Sequence, residues 1–146
     1  MNLQDIDIQT LLPQQPPMVM VDRLISADEK SATTSLRIRE DNIFVSDGRL
    51  NAYALIEVMA QTAAAQLGYE DKCLRGCQEV RIGYIGSIKR MHIEDVPKTG
   101  ETLTTRMQVQ EDFMNMKLVT VESFVNDRQI ATSELTIAIS EDRVTV

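Results

Sequence analysis

The sequence predicts an α+β domain in which a curved antiparallel sheet wraps one central buried helix. Three observations lead there. Positions 52–65 contain only three polar side chains, Glu57, Gln61 and Thr62; a helix apolar nearly all round has to be enclosed, whereas a surface helix shows only an apolar stripe. Segments on both sides of it alternate apolar and polar residues, as half-buried antiparallel strands do. The order is two strands, the helix, then a meander of strands, with no repeat, linker or low-complexity tract, so residues 1–146 form one domain. One sheet covers such a helix incompletely, and a homodimer is expected to cover the rest.

Each element can be justified in turn. Residues 6–12 form a short helical lead-in, with Ile6, Ile8, Leu11 and Leu12 apolar and Pro13 ending it. Met18 to Ile25 reads as a largely buried strand because Met18-Val19-Met20-Val21 is continuously apolar. Ser31 to Arg39 alternates, with Ala32, Thr34, Leu36 and Ile38 on one face and Arg37 and Arg39 on the other. The turn at Asp28-Glu29-Lys30 makes these two a hairpin. A loop covers 40–50. Asn51 caps the central helix, which runs to about Leu67 with Gly68 as its stop; its alanines allow close approach by the sheet. After a polar stretch, 70–78, come strands at 80–93, 102–112, 116–125 and 130–139. Gly83 and Gly86 permit bends or close packing, Pro97-Lys98-Thr99-Gly100 is a turn, and Asn126-Asp127-Arg128-Gln129 closes the last hairpin.

Composition narrows the function. A net charge of −7 argues against a general nucleic-acid binder. The acidic, polar opening Met1-Asn2-Leu3-Gln4-Asp5 does not read as a signal peptide, and the apolar run at 52–65 is too short to span a bilayer. A cytoplasmic chain is expected. Cys73 and Cys77 read as two free thiols, because a metal site needs two more ligands and the sequence holds one His and no other Cys. Neither a metal nor a cofactor is expected. The eight Met are core filler, or a soft lining for an apolar ligand.

Glu57 is the leading candidate for chemistry. It sits in the most apolar segment, where an unpartnered carboxylate is costly, and burial of a carboxylate favours its protonated form, which suits proton transfer. Gln61, one turn on, shares its face and can orient it or bond a ligand. The structural alternative is a Glu57–Gln61 pair holding loop backbone or a second subunit.

Several segments also resemble a known family. Leu11-Leu12-Pro13-Gln14-Gln15-Pro16-Pro17-Met18-Val19-Met20-Val21-Asp22-Arg23 resembles the opening L-L-P-H-R-x-P-h-h-h-V-D-R (h apolar) of hotdog-fold 3-hydroxyacyl-acyl-carrier-protein dehydratases. Glu57-Val58-Met59-Ala60-Gln61 resembles their E-A-M-A-Q helix motif, Ile82 to Arg90 the strand after it, and Pro97-Lys98-Thr99-Gly100-Glu101-Thr102-Leu103 their P-x-x-G-D-x-L turn. The chain is most similar to the small dehydratases of aryl-polyene and flexirubin-type pigment clusters. The resemblance implies a hotdog fold and an acyl thioester substrate on acyl carrier protein or coenzyme A, as in fatty-acid or polyene biosynthesis. It implies a lyase reaction using the helix carboxylate and a loop His across a dimer interface. The helix N-terminus polarises the thioester carbonyl, and an apolar tunnel between helix and sheet holds the chain. Glu57 is then the catalytic carboxylate, and Gly48, Asn51, Gln61, Met18 and Met20 are the expected substrate contacts.

The family's G-H-F-P-G loop has no counterpart. Its region, Asn42-Ile43-Phe44-Val45-Ser46-Asp47-Gly48-Arg49-Leu50, contains no His, and Gln14 stands where the family opening has one. The single His92 falls in a strand as an exposed or packed residue, and no catalysis is assigned to it. Asp47 is the acid–base replacement the loop offers, although Asp before Gly is commonly a turn residue. Three readings follow: a dehydratase with a remodelled pair around Glu57 and Asp47, an acyl thioesterase using Glu57, or a non-catalytic acyl-binding partner of a His-bearing dehydratase. Between Lys72 and Arg90, the five cations Lys72, Arg75, Arg81, Lys89 and Arg90 stand against Glu79 alone. They form either a docking patch for an acidic carrier protein or a solvated face.

Overall fold

A computed structural model describes residues 2–146. Two short 3-10 turns, Leu3–Asp5 and Ile8–Leu11, lead into strands β1 (Arg23–Ala27) and β2 (Ser31–Arg37). A small hairpin, β3 (Val45–Ser46) and β4 (Arg49–Leu50), precedes helix α1 (Ala52–Tyr69). Strands β5 (Glu79–Ile93), β6 (Thr102–Phe113), β7 (Met116–Val125) and β8 (Arg128–Thr145) complete the chain. Six strands make one antiparallel sheet in the order β1-β2-β6-β7-β8-β5.

Curvature follows from simple dimensions. Six strands at a spacing of about 4.8 Å span roughly 24 Å, about twice the width of a helix with its side chains. Helix α1 nonetheless touches both edge strands, β1 and β5, as well as β2, β6 and β7 between them. The sheet therefore bends around the helix, which is the hotdog arrangement the sequence predicts. Alternation does the sorting. Ala32, Thr34, Leu36 and Ile38 are buried, as are Leu135, Ile137 and Ile139, while their neighbours along each strand are not. Leu24, Leu55, Met59, Leu103, Met107 and Leu135 meet between the layers as the core.

Three expectations need correction. Residues 18–22 are not a strand; β1 starts at Arg23, and the Met18 carbonyl and Met20 N–H bond a helix side chain instead of a ladder neighbour. Met18 is accordingly exposed while Met20 is buried. Gly68 does not stop the helix. It lies inside α1, where a Cβ would come within 2.1 Å of the Leu11 carbonyl oxygen, so glycine is there for close packing. The polar stretch after it is a wide helical turn, Glu70–Leu74, and the chain reverses beyond it at Gly76, with φ of +70°. That turn persists because Asp71, fully buried, accepts from the Arg81 backbone N–H (2.9 Å) and side-chain Nε (3.0 Å). The final hairpin turns on two residues, Asn126 and Asp127, since Val125 already pairs with Arg128.

At α1 itself, Asn51 is the cap; its Oδ1 accepts from the Tyr53 N–H at 2.8 Å. The helix's polar residues each have a dedicated partner, which is how an enclosed helix tolerates them. Thr62 bonds Thr34 across the interface at 2.8 Å, and Gln66 donates to the Asp28 carbonyl at 3.1 Å.

Candidate functional site

Glu57 and Gln61 sit one turn apart on α1 and are joined directly. The Gln61 Nε2 donates to Glu57 Oε1 at 2.7 Å and to the Met18 carbonyl at 2.7 Å, while its Oε1 accepts from the Met20 N–H at 2.6 Å. A glutamine amide has two N–H donors, and both are engaged. Gln61, 0% exposed, therefore orients Glu57 and fastens the 18–20 segment, and has no donor left for a thioester. Glu57 is only half-buried. One of its oxygens is fixed by Gln61; the other, Oε2, makes no hydrogen bond among the described residues and is the atom available for proton exchange.

A cavity of about 40 Å³ opens between α1 and the sheet one turn beyond Glu57. Ala60 and Ala64, on the same helix face as Glu57, form one wall; Gly83, Ile85, Val119 and Ile137 form another. Glycine at 83 is required by this packing, since a Cβ there would lie 2.9 Å from the Ile137 side chain. The lining is mostly apolar with a few polar groups. Gln14, in the position where the family opening carries His, lines it with its Oε1 buried and without a hydrogen-bond partner.

The loop candidates lie elsewhere. Asp47 and Gly48 are the two central residues of the β3–β4 hairpin, with φ of 54° and 73°, and both are exposed. Asp47 thus occupies the turn position that an Asp-Gly pair favours, and no hydrogen bond joins it to Glu57. Asn51 spends its side chain capping α1, and its N–H bonds the Phe44 carbonyl at 2.8 Å. Loop 42–50 is thereby held against the helix N-terminus. Met20 is in the core, its sulfur contacted by Asn42 Nδ2 at 3.4 Å. His92 is exposed on β5, 3.5 Å from Glu94, and belongs to neither the cavity nor the Glu57 cluster.

The basic run is mostly neutralised at home. Arg81 pairs with Asp71 at 2.9 Å and Glu70 at 3.5 Å, Arg75 with Glu70 at 3.4 Å, and Arg90 with Glu134 at 2.6 Å. Lys72 bonds the Val146 carbonyl at 2.9 Å. Lys89 is the member without such a partner among the described residues, so the five do not act as one free patch. Cys73 is exposed and Cys77 half-buried.

Lys117 and Gln66 also line the cavity, and neither was singled out from sequence. The signal for Lys117 was available: Val119 and Val121 point inward on β7, and residue 117 shares their parity.

The edge strand β5 leaves Tyr84, Ile85 and Ile88 exposed (57%, 38% and 41%), an apolar edge that a monomer would have to protect. No helix among the described residues is long and apolar enough to cross a membrane.

Comparison with known proteins agrees with the sequence motifs. The family of ApeP dehydratases (ApeP-like) matches residues 6–145. The 3-hydroxyacyl-acyl-carrier-protein dehydratase FabZ of Lactiplantibacillus plantarum is 23% identical over 143 residues, covering 94% of each chain. That of Latilactobacillus sakei is 25% identical over 143 residues, covering 94% of this chain and 99% of its own. Among solved structures, the dehydratase heterocomplex ApeI:P from Xenorhabdus doucetiae superposes with a TM-score of 0.86 at 17% identity, covering 94% of this chain and 93% of its own. A hypothetical thioesterase with coenzyme A from Streptococcus pneumoniae gives 0.67 at 9% identity, covering 84% and 88%, and attests the fold alone. With the family match running almost end to end over a hotdog fold, the chain belongs to the ApeP-like dehydratase family.

Proposed function

We propose that this chain is a dehydratase-type subunit acting on a 3-hydroxyacyl thioester carried by an acyl carrier protein, with Glu57 as one half of the acid–base pair. The observation that carries this reading is the Gln61 clamp, which holds Glu57 one helical turn from an apolar cavity while leaving Oε2 unbonded. Dehydration removes the α-proton to a base, breaks the C3–O bond and delivers a proton to the departing hydroxyl, giving a 2-enoyl thioester and water. Two acid–base groups are needed, and Glu57 is the one we assign to this protomer.

The second group comes from another subunit. The apolar β5 edge is where such a subunit would seat, and one similar solved structure is the dehydratase heterocomplex ApeI:P. In a homodimer the candidate is Asp47, exposed at its hairpin tip; in a mixed dimer it is the loop His of a related dehydratase. The site of action is cytoplasmic, where carrier-bound acyl chains are made.

The test is product analysis by mass spectrometry on a 3-hydroxyacyl thioester, with the chain alone and with a His-bearing relative. An unsaturated thioester on intact carrier supports the reading, and its dependence on the relative identifies the mixed dimer. Free acid plus thiol would replace dehydration with thioester hydrolysis. Unchanged substrate under both conditions would contradict an enzymatic role.

A further inference from the structure

A buried ammonium belongs to a residue lining the cavity, and nothing in the dehydration chemistry calls for it. Lys117 is 5% exposed at its side chain, and lines the cavity together with Gln66. Its Nζ donates to Glu70 Oε2 at 2.9 Å; the other acceptors, Gln66 Oε1 at 3.5 Å and Asp112 Oδ2 at 3.9 Å, are at or beyond the limit of a hydrogen bond. An ammonium carries three donors, so only one is well used. Gln14 Oε1, in the same lining, is a buried acceptor with no donor. An otherwise apolar cavity thus presents spare donors and one spare acceptor, a costly arrangement beside hydrocarbon.

We infer that Lys117 is a specificity-determining residue that reads an oxygen at the distal end of the acyl chain. The inference rests on the acyl-thioester reading above. Gln66 lies nine residues beyond Glu57, roughly 13 Å along the helix axis, so a thioester reacting at Glu57 would direct the end of its chain, and not its reactive carbons, towards Lys117. A methyl end leaves the ammonium and the Gln14 oxygen as they are. A hydroxyl end accepts from Lys117 and has a proton to donate. Charge selects the same class: Lys117 and Arg81 are already balanced by Glu70 and Asp71, so a neutral oxygen fits better than a carboxylate, which would bring an unmatched negative charge into the cavity.

The experiment is calorimetric binding of acyl-pantetheine thioesters of matched lengths, ending in methyl, hydroxyl or carboxylate, to the full chain and to Lys117→Met. Because that change removes the shortest ion pair of the Glu70 carboxylate, Lys117→Met/Glu70→Gln is measured beside it, with thermal unfolding to verify the fold. The wild-type chain is expected to favour the hydroxyl-ended ligand over the methyl-ended one by about tenfold at the length that reaches Lys117. The folded variant should lose that preference, the methyl and hydroxyl ends binding it equally. Equal binding of methyl and hydroxyl ends by the wild type, or a preference that survives the substitution, overturns the inference and leaves the thioester reading intact. Binding of none of these thioesters overturns both.

Discussion

Gln61 is the residue on which the site's geometry turns. Its one amide makes three hydrogen bonds, two of them to the backbone of residues 18 and 20. Replacing it with Ala strands the Met20 N–H and the Met18 carbonyl and should cost about 2–4 kcal/mol, read as a lower denaturant midpoint at unchanged slope. Glu57→Gln is different in kind. The new amide can still accept from Gln61, so the midpoint should hold while turnover falls by about 10²–10⁴-fold. That pair of outcomes separates the acid–base group from the residue that positions it. Glu57 and Gln61 were legible in the sequence, because two polar side chains one turn apart in an apolar helix demand a reason. Gln14 was noticed only as the residue in place of the family's His, and Lys117 was not singled out. An isolated polar residue in a loop or an alternating strand reads as solvated unless its facing partners are known.

Elements were legible where periodicity is strict and misread where long-range contacts decide. Strands β2 and β8 show the burial their alternation predicts. The 18–22 segment misled because a continuous apolar run looks alike whether it pairs with a strand or with Gln61. Gly68 misled because a helix-stopping glycine and a close-packing glycine look identical without Leu11 in view. The difference has a measurable sign. At an ordinary exposed helix position Gly→Ala gains about 1 kcal/mol; at Gly68 the Cβ meets the Leu11 carbonyl oxygen, and thermal unfolding of Gly68→Ala should show a loss of at least about 2 kcal/mol.

The β1–β2 hairpin makes a pH prediction. Asp28 is held below its ordinary value of 3.8, chiefly by the Lys30 backbone N–H, with further help from the Ser31 hydroxyl and N–H outweighing the effect of its slight burial. A carboxyl whose folded value is depressed contributes stability that is full above the unfolded value and is lost as pH falls through the folded one. Wild-type stability should therefore decline below about pH 3.8, and Asp28→Asn should flatten part of that decline in acid-titrated unfolding curves.

For the whole molecule, the sequence conveyed more of the fold than of the assembly. An enclosed helix and a meander are enough to imply a wrapped sheet, whereas the partner's identity is written in a surface. The exposed row of Tyr84, Ile85 and Ile88 on β5 is the surface proposed for it. Pairing through β5 predicts a dimer in light scattering for the wild-type chain and a folded monomer for Tyr84→Lys/Ile88→Lys, both side chains being exposed and outside the cavity wall. The basic run from Lys72 to Arg90 shows the opposite case: a sequence cluster that dissolves into internal ion pairs once Asp71, Glu70 and Glu134 are placed against it.

The most direct test of the central claim is the rate of 2-enoyl thioester formation by the complex of this chain with a His-bearing relative, above the rate of the relative alone. The wild-type chain should add activity to the relative, and Glu57→Gln, bound equally well to it, should add none. Equal increments from the two chains would contradict the assignment of Glu57.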